Sequence, residues 1–193
     1  MAILAGYIKR NNLISGLIVS FFTFLIALFV SLGSEALVTV FNDIFISVIL
    51  LLIVIFLGIF FDIIGTAATA AEMPPFNARA AKKVFGAKEA VKIIQNADKV
   101  ANFCNDVIGD IAGTLSGAIG AGIVINLVNK LQFLDLLLSS AVMTSFIAAL
   151  TVGGKAVGKG MAVNHANNII FRVAVVVAWC ENISMIKLFT NRR

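Results

Sequence analysis

The chain has 193 residues, of which 60% are apolar and 13% charged, and it carries a net charge of +5. Soluble domains hold about twice that charged fraction, so the composition excludes an ordinary water-soluble globule and fits a membrane protein of single-domain size. No lysine/arginine block interleaves with aromatics, which argues against a nucleic-acid surface. The two cysteines, Cys104 and Cys180, lie beside apolar runs at no metal-binding spacing and read as buried thiols.

Four long apolar runs follow in chain order: Leu13 to Gly33, Ile44 to Phe61, Val107 to Val128 and Phe133 to Gly154. Each approaches the length of about 17–25 residues that a helix needs to cross hydrocarbon, where only a structure that satisfies its own backbone polar groups is stable. The first run has a basic start and small residues at Ser34 and Ala36, as a cleaved secretory signal does. Its apolar stretch is longer than a signal core, and it reads as a retained span. A fifth run, Ile169 to Trp179, is short and contains Arg172, so an interfacial or half-buried helix is expected there. The expected fold is therefore an all-α integral membrane protein with about four transmembrane helices and cytoplasmic juxtamembrane amphipathic helices.

Basic residues alternate from side to side as four spans require. Lys9 and Arg10 precede the first span, the Ser34–Asp43 connection has no basic residue, and the long Asp62–Asp106 connection holds six. The positive-inside bias then puts both termini in the cytoplasm of a multi-pass cell-membrane protein. Within the long connection, Pro74 and Pro75 are expected to end the helix that extends the second span. From Ala78 onward, Val84, Ala87, Val91 and Ile94 recur at helical spacing, while Lys82, Lys83, Lys88, Lys92 and Lys99 lie on more polar faces. That pattern predicts a basic amphipathic helix lying in the headgroup layer; a solvated cytoplasmic hairpin has the same pattern.

The residues that invite chemistry are ionisable groups at the ends of these runs, because charge near hydrocarbon is costly and marks function. Asp106 and Asp110 are one helical turn apart and Thr114 continues their face. With Asn105 and Ser116 they form the polar part of the third span. Asp62 ends the second run and Lys155 follows the fourth, so topology puts Asp62, Asp110 and Lys155 in one layer. Asp62 and Asp110 offer hard oxygens suited to magnesium; an internal salt bridge through Lys155 accounts equally for the same residues. Gly109, Gly113 and Gly117 make a doubled G-x-x-x-G, widened by Gly120 and Ala121, a face for close helix packing within the chain or across a dimer seam. His165 is alone and reads as a surface residue, and Lys130 and Asp135 read as snorkelling side chains at the outer turn. The sequence contains no nucleophile–base pairing, phosphate-cradling loop or zinc spacing, so an enzyme is not expected.

Four stretches, in order, resemble the transmembrane domain of the cyclin M (CNNM)/CorC/CorB magnesium-transport family. Phe60-Phe61-Asp62-Ile63-Ile64-Gly65-Thr66-Ala67 is similar to the family's F-F-S-x-x-E-x-A. Arg79 to Asn102, with Gly86-Ala87-Lys88-Glu89-Ala90 and Asn96-Ala97-Asp98-Lys99, resembles its juxtamembrane helices. Ile108-Gly109-Asp110 with Thr114 resembles I-G-N-x-x-x-N. Gly154-Lys155-Ala156-Val157-Gly158-Lys159, followed by Ala162-Val163-Asn164-His165-Ala166, is similar to G-E-x-x-P-K and the A-x-x-N-A that follows it. The resemblance covers residues 40–182 approximately. It divides the chain into an added N-terminal transmembrane helix (1–36), a CNNM-like transmembrane domain (37–182, with juxtamembrane helices near 63–103) and a basic tail (183–193).

The resemblance implies a homodimer in the lipid bilayer with a cytoplasm-facing cavity for Mg2+ and sodium-linked transport. The family's nucleotide-sensing domain is not among these residues, and a separate regulatory subunit is the corresponding expectation. Asp62 stands where the family has serine, Gly65 where it has glutamate, Asp110 where it has asparagine, Lys155 where it has glutamate and Gly158 where it has a kinking proline. Two readings follow: a magnesium or divalent-cation transporter with a rewired polar site, or a transport-inactive scaffold or accessory protein in which the Lys155 ammonium fills the cation's place.

Overall fold

A computed structural model describes residues 16–17, 20–33, 43–131 and 133–184. Lys9, Arg10, Ser34, Ala36 and the tail from 185 onward, on which parts of the first-span, signal and orientation readings rest, lie outside the described residues. Every element among the described residues is helical. These are α1 (Ser20–Gly33), α2 (Ile44–Ala70), α3 (Met73–Ala81), α4 (Ala87–Gln95), α5 (Ala97–Asn102), a π-helical segment (Phe103–Ile108), α6 (Gly109–Lys130), α7 (Leu136–Asn164) and α8 (Ala166–Ser184). Among the described residues, four stretches are long and apolar enough to cross a membrane: Ile44–Ala70, Ala97–Lys130, Leu136–Asn164 and Ala166–Ile183. The chain is an all-α integral membrane protein.

Several boundaries differ from the sequence expectation. α2 runs 27 residues, to Ala70, about 40 Å at the helical rise and so longer than the roughly 30 Å hydrocarbon core. Ala71 is already extended, and Pro74 and Pro75 sit in the first turn of α3 rather than ending α2. The first turn is where a proline costs nothing, because its missing N–H would have had no partner there. α7 continues to Asn164, well past Gly154. Gly158 leaves the helix uninterrupted, so Lys155 projects from the interior of α7 rather than from its end. α8 is 19 residues long, exceeding the expected fifth run, and meets the length for a span. Arg172 does not shorten it because that side chain is exposed.

Asp135 does not snorkel freely. It caps α7, its carboxylate accepting the Leu138 N–H at 2.8 Å, as Asp43 caps α2 by accepting from Phe45 N–H at 2.9 Å. Asp135→Ala is expected to cost about 1 kcal/mol, read as a lowered thermal midpoint of the purified protein.

The three long helices α2, α6 and α7 form the bundle. Their shared core joins Leu51, Val54 and Ile55 of α2 to Ala112, Leu115, Ile119 and Ile123 of α6 and Ile147 of α7. A second core lies at the other end of α2, where Ala67 and Ala68 meet Phe76 of α3, Ala90 and Ile93 of α4, Ala162 of α7, and Ala166, Ile170 and Ala174 of α8. Alanines at the crossing points let these helix backbones approach closely. Asp62 falls between the two cores along α2.

The basic segment is not one helix. A turn at Lys82–Gly86 separates α3 from α4, with Lys83 and Gly86 both in the left-handed region (φ 56° and 80°). The inner face of α4, carrying Ala87, Ala90 and Ile93, is buried, with Ala90 and Ile93 packed beside Ile170 and Ala174 of α8. Of the apolar spacing read from the sequence, Ala87 is buried and Val91 and Ile94 pack partly against the same core, whereas Val84 is exposed.

Candidate functional site

Asp62 is 4% exposed, on α2. An unpaired carboxylate there would be costly. Lys155 reaches across from α7 and places its Nζ 3.7 Å from Asp62 Oδ1, with the lysine side chain 25% exposed. The bare face of α6 makes room for the ammonium: a Cβ built on Gly109 would lie 3.4 Å from Lys155 Nζ. Three helices thus meet at one ion pair.

The pair leaves oxygens unanswered. Asp62 Oδ2 is buried and has no hydrogen-bond partner, and the same is true of Asn105 Oδ1. Asn105 belongs to the π-helical segment and packs on Gly65 of α2, so closely that a Cβ there would overlap its Oδ1 and lie 2.7 Å from its Cγ. Gly65 is one turn beyond Asp62 on the same face of α2. The amide of Asn105 therefore occupies the space into which a side chain at position 65 would project. Such π-segments recur at functional sites because the extra residue per turn re-aims side chains. From the sequence, Asn105 was expected among the residues of the ion-site or salt-bridge layer. Its seat on Gly65 was missed, although a glycine three residues after a buried aspartate signals that something approaches α2 there.

The other residues expected in this layer do not join it. Asp110 is exposed and lines a cavity of about 380 Å³ with Thr114, Ile111, Leu115 and Ala118 of α6 and Thr23, Phe24, Ala27, Leu28 and Ser31 of α1. Among the described residues, Asp62 is the carboxylate paired with Lys155. The reason is angular. Successive helical residues point about 100° apart; Gly109 faces Lys155, so Asp110 is turned away. Asp106 is exposed. Thr114 donates to the Asp110 carbonyl at 2.7 Å, and buried Ser116 donates to the Ala112 carbonyl at 2.7 Å, so both hydroxyls serve their own helix. Among the described residues no three His, Cys, Asp or Glu side chains gather as metal ligands. Asp62 and Asp110, expected as a metal pair, thus face different neighbours: Asp62 faces Lys155 and Asp110 faces α1.

The glycine stripe also divides. Gly109 faces Lys155, and Gly120 packs against Ile147 and Met143 of α7, whereas Gly113 and Gly117 have nothing within 4 Å and Ala121 is exposed. At the helix crossings, Gly58 meets Ala112, and Gly154 and Gly158 receive Ile59 and Ile63. Cys104 is buried as expected, but Cys180 is exposed on α8. Lys82, Lys83, Lys88 and Lys99 are exposed, and Lys92 lies 4.0 Å from Glu89.

Neither a family model, nor a characterised protein, nor a solved structure matches this chain.

Proposed function

We propose that the chain is a magnesium-transporter-like membrane protein with a rewired cation site, in which the Lys155 ammonium stands where a transported cation would bind. The observation that carries the reading is a nearly fully buried carboxylate, Asp62, paired on one oxygen with Lys155 and unpartnered on the other. An intramembrane charge with a spare lone pair marks an ion pathway more often than a structural contact. Asp62 Oδ2 and Asn105 Oδ1 are both hard oxygens of the kind magnesium takes, and that ion keeps several waters when protein ligands are few. The motif resemblance to the CNNM/CorC/CorB family, with Gly65 and Lys155 at its glutamate positions, supports magnesium over other cations. The reading brings with it a multi-pass cell-membrane protein with cytoplasmic termini and a homodimer. Gly113, Gly117 and Ala121, left uncovered on α6, support a second copy.

The 3.7 Å pair favours a second reading, a transport-inactive scaffold whose lysine holds the site permanently. One pair of measurements separates the two. Magnesium flux into liposomes by the wild-type protein supports transport and removes the scaffold reading. Calorimetry on purified Lys155→Glu is expected to show magnesium binding tighter than wild type, because the substitution removes the competing ammonium and adds a carboxylate. Binding unchanged by this substitution would falsify the idea that the ammonium stands in for the ion.

A further inference from the structure

The juxtamembrane layer holds a cleft that the cation reading does not use. It lies between the α3–α4 turn and the end of α8, has a volume of about 660 Å³, and is lined by Lys83, Val84, Phe85, Gly86, Lys88 and Glu89 on one side and Ala178, Glu181 and Asn182 on the other. Two features of opposite character meet here. The turn carries Lys82, Lys83 and Lys88, all exposed, and across Arg79–Lys99 six basic side chains stand against two acidic ones, Glu89 and Asp98. Between the lysines, Val84 and Phe85 are exposed at the tip, Phe85 by 55%, and the end of α8 exposes Val176, Trp179 (61%) and Ile183.

Apolar side chains this exposed need a partner, and the basic rim selects its chemistry. Tryptophan beside lysine is the composition of a membrane–water boundary, where the amphipathic ring sits at headgroup depth. Lys83, whose backbone is left-handed, lines the cleft. We propose that this cleft seats the headgroup of an anionic phospholipid of the host bilayer, with Lys83 and Lys88 on its phosphate and Val84, Phe85 and Trp179 among its neighbouring acyl chains. The lipid contact thus falls on the α3–α4 turn and α8 rather than on the buried face of α4. The lining sets Lys83 and Lys88 against Glu89 and Glu181; Glu89 lies beside Lys92 at 4.0 Å, which lessens its opposition to an anion, and Glu181 sits on the α8 wall, so the phosphate is placed on the Lys83–Lys88 side.

The chain's one tryptophan reports on this place. The full chain is reconstituted into phosphatidylcholine nanodiscs that contain a minor fraction of either phosphatidylglycerol or phosphatidylcholine brominated on the acyl chains, and Trp179 fluorescence is read. Brominated phosphatidylglycerol is expected to quench at least about twofold more than brominated phosphatidylcholine at the same mole fraction, a modest demand on two basic residues at an anionic surface. The K83Q/K88Q double variant loses this preference, whereas Lys99→Gln, outside the cleft, keeps it. Equal quenching by the two lipids in the wild type overturns the proposal, as does a preference that survives K83Q/K88Q. Absence of quenching by either lipid also overturns it and turns this face toward an aqueous partner.

Discussion

Lys155→Met is expected to destabilise the purified protein by about 3 kcal/mol or more, the cost of leaving one member of a buried ion pair uncompensated. The asymmetry of the pair makes the prediction specific. Asp62 is 4% exposed on a short side chain, whereas the Lys155 side chain is 25% exposed and has a long apolar stem along which its ammonium can move outward. Asp62→Asn, which leaves the lysine alone, is therefore expected to cost roughly 1 kcal/mol, within the range of a partly exposed pair. Asp62→Leu/Lys155→Met, which removes both charges, should recover most of the loss, since a well-packed apolar replacement is often neutral or better. The measurement is thermal unfolding of the four proteins in one detergent. A midpoint for Lys155→Met equal to wild type would mean that the pair holds no energy. The same series tests the functional reading: if Asp62 and Asn105 accept a cation once the ammonium is gone, magnesium raises the midpoint of Lys155→Met by mass action and leaves the double variant unchanged.

The sequence revealed the helical class and the depth of the polar layer, but not its azimuth. The long apolar runs in α2, α6 and α7 announced three of the four candidate spans among the described residues. The full reach of α7 was hidden, because its extension mixes alanine, glycine and valine with Lys155, Lys159 and Asn164, which interrupt the hydrophobic signal. Ala67, Ala68 and Ala162 are nevertheless among the most buried residues in the structure; small side chains bury by letting backbones approach, and hydropathy does not register that. α8 was underestimated for a related reason, since Arg172 and the asparagines at 167 and 168 interrupt the apolar run while pointing away from its packed face or lying only partly buried. Asp62 and Lys155 were placed together correctly from topology, which fixes how far along each helix a residue lies. Asp110 shares that depth and yet points toward α1, because rotation about the helix axis depends on which residues pack. Gly109 against Lys155 sets it for α6. The split basic segment shows the same limit: Val84 matches the apolar spacing of a single helix, but the left-handed residues Lys83 and Gly86 end the pattern around it.

Gly86→Ala is expected to lower stability by about 3 kcal/mol, concentrated where α4 meets α8. Two costs act at this position. The backbone φ of 80° is left-handed, which costs a residue with a Cβ roughly 1–2 kcal/mol. The new methyl group would also meet Val175 at 2.8 Å from Cγ2, 2.9 Å from Cα and 3.1 Å from N. Two of these atoms belong to the α8 backbone and cannot rotate aside, so the helices must separate, an overpacking cost of about 1–3 kcal/mol. Gly86→Asn divides the two terms, because asparagine tolerates the left-handed region but still carries the Cβ. A loss equal to that of alanine assigns the effect to the contact with α8, and a much smaller one assigns it to the backbone. Hydrogen exchange should show faster exchange in residues 87–95 and 170–178, with the α2–α6–α7 core around Leu51 and Ile119 unchanged, since that core is built from different residues. Gly160→Ala is the control, because its added methyl group meets nothing within 4 Å and it lies outside the α6 glycine face. The fold therefore treats its glycines unequally: Gly86 joins the juxtamembrane helices to the bundle through α8, and Gly160 leaves a surface open. If Gly86→Ala exchanged like the wild type at α4 and α8, that close approach would not be what holds the juxtamembrane layer together.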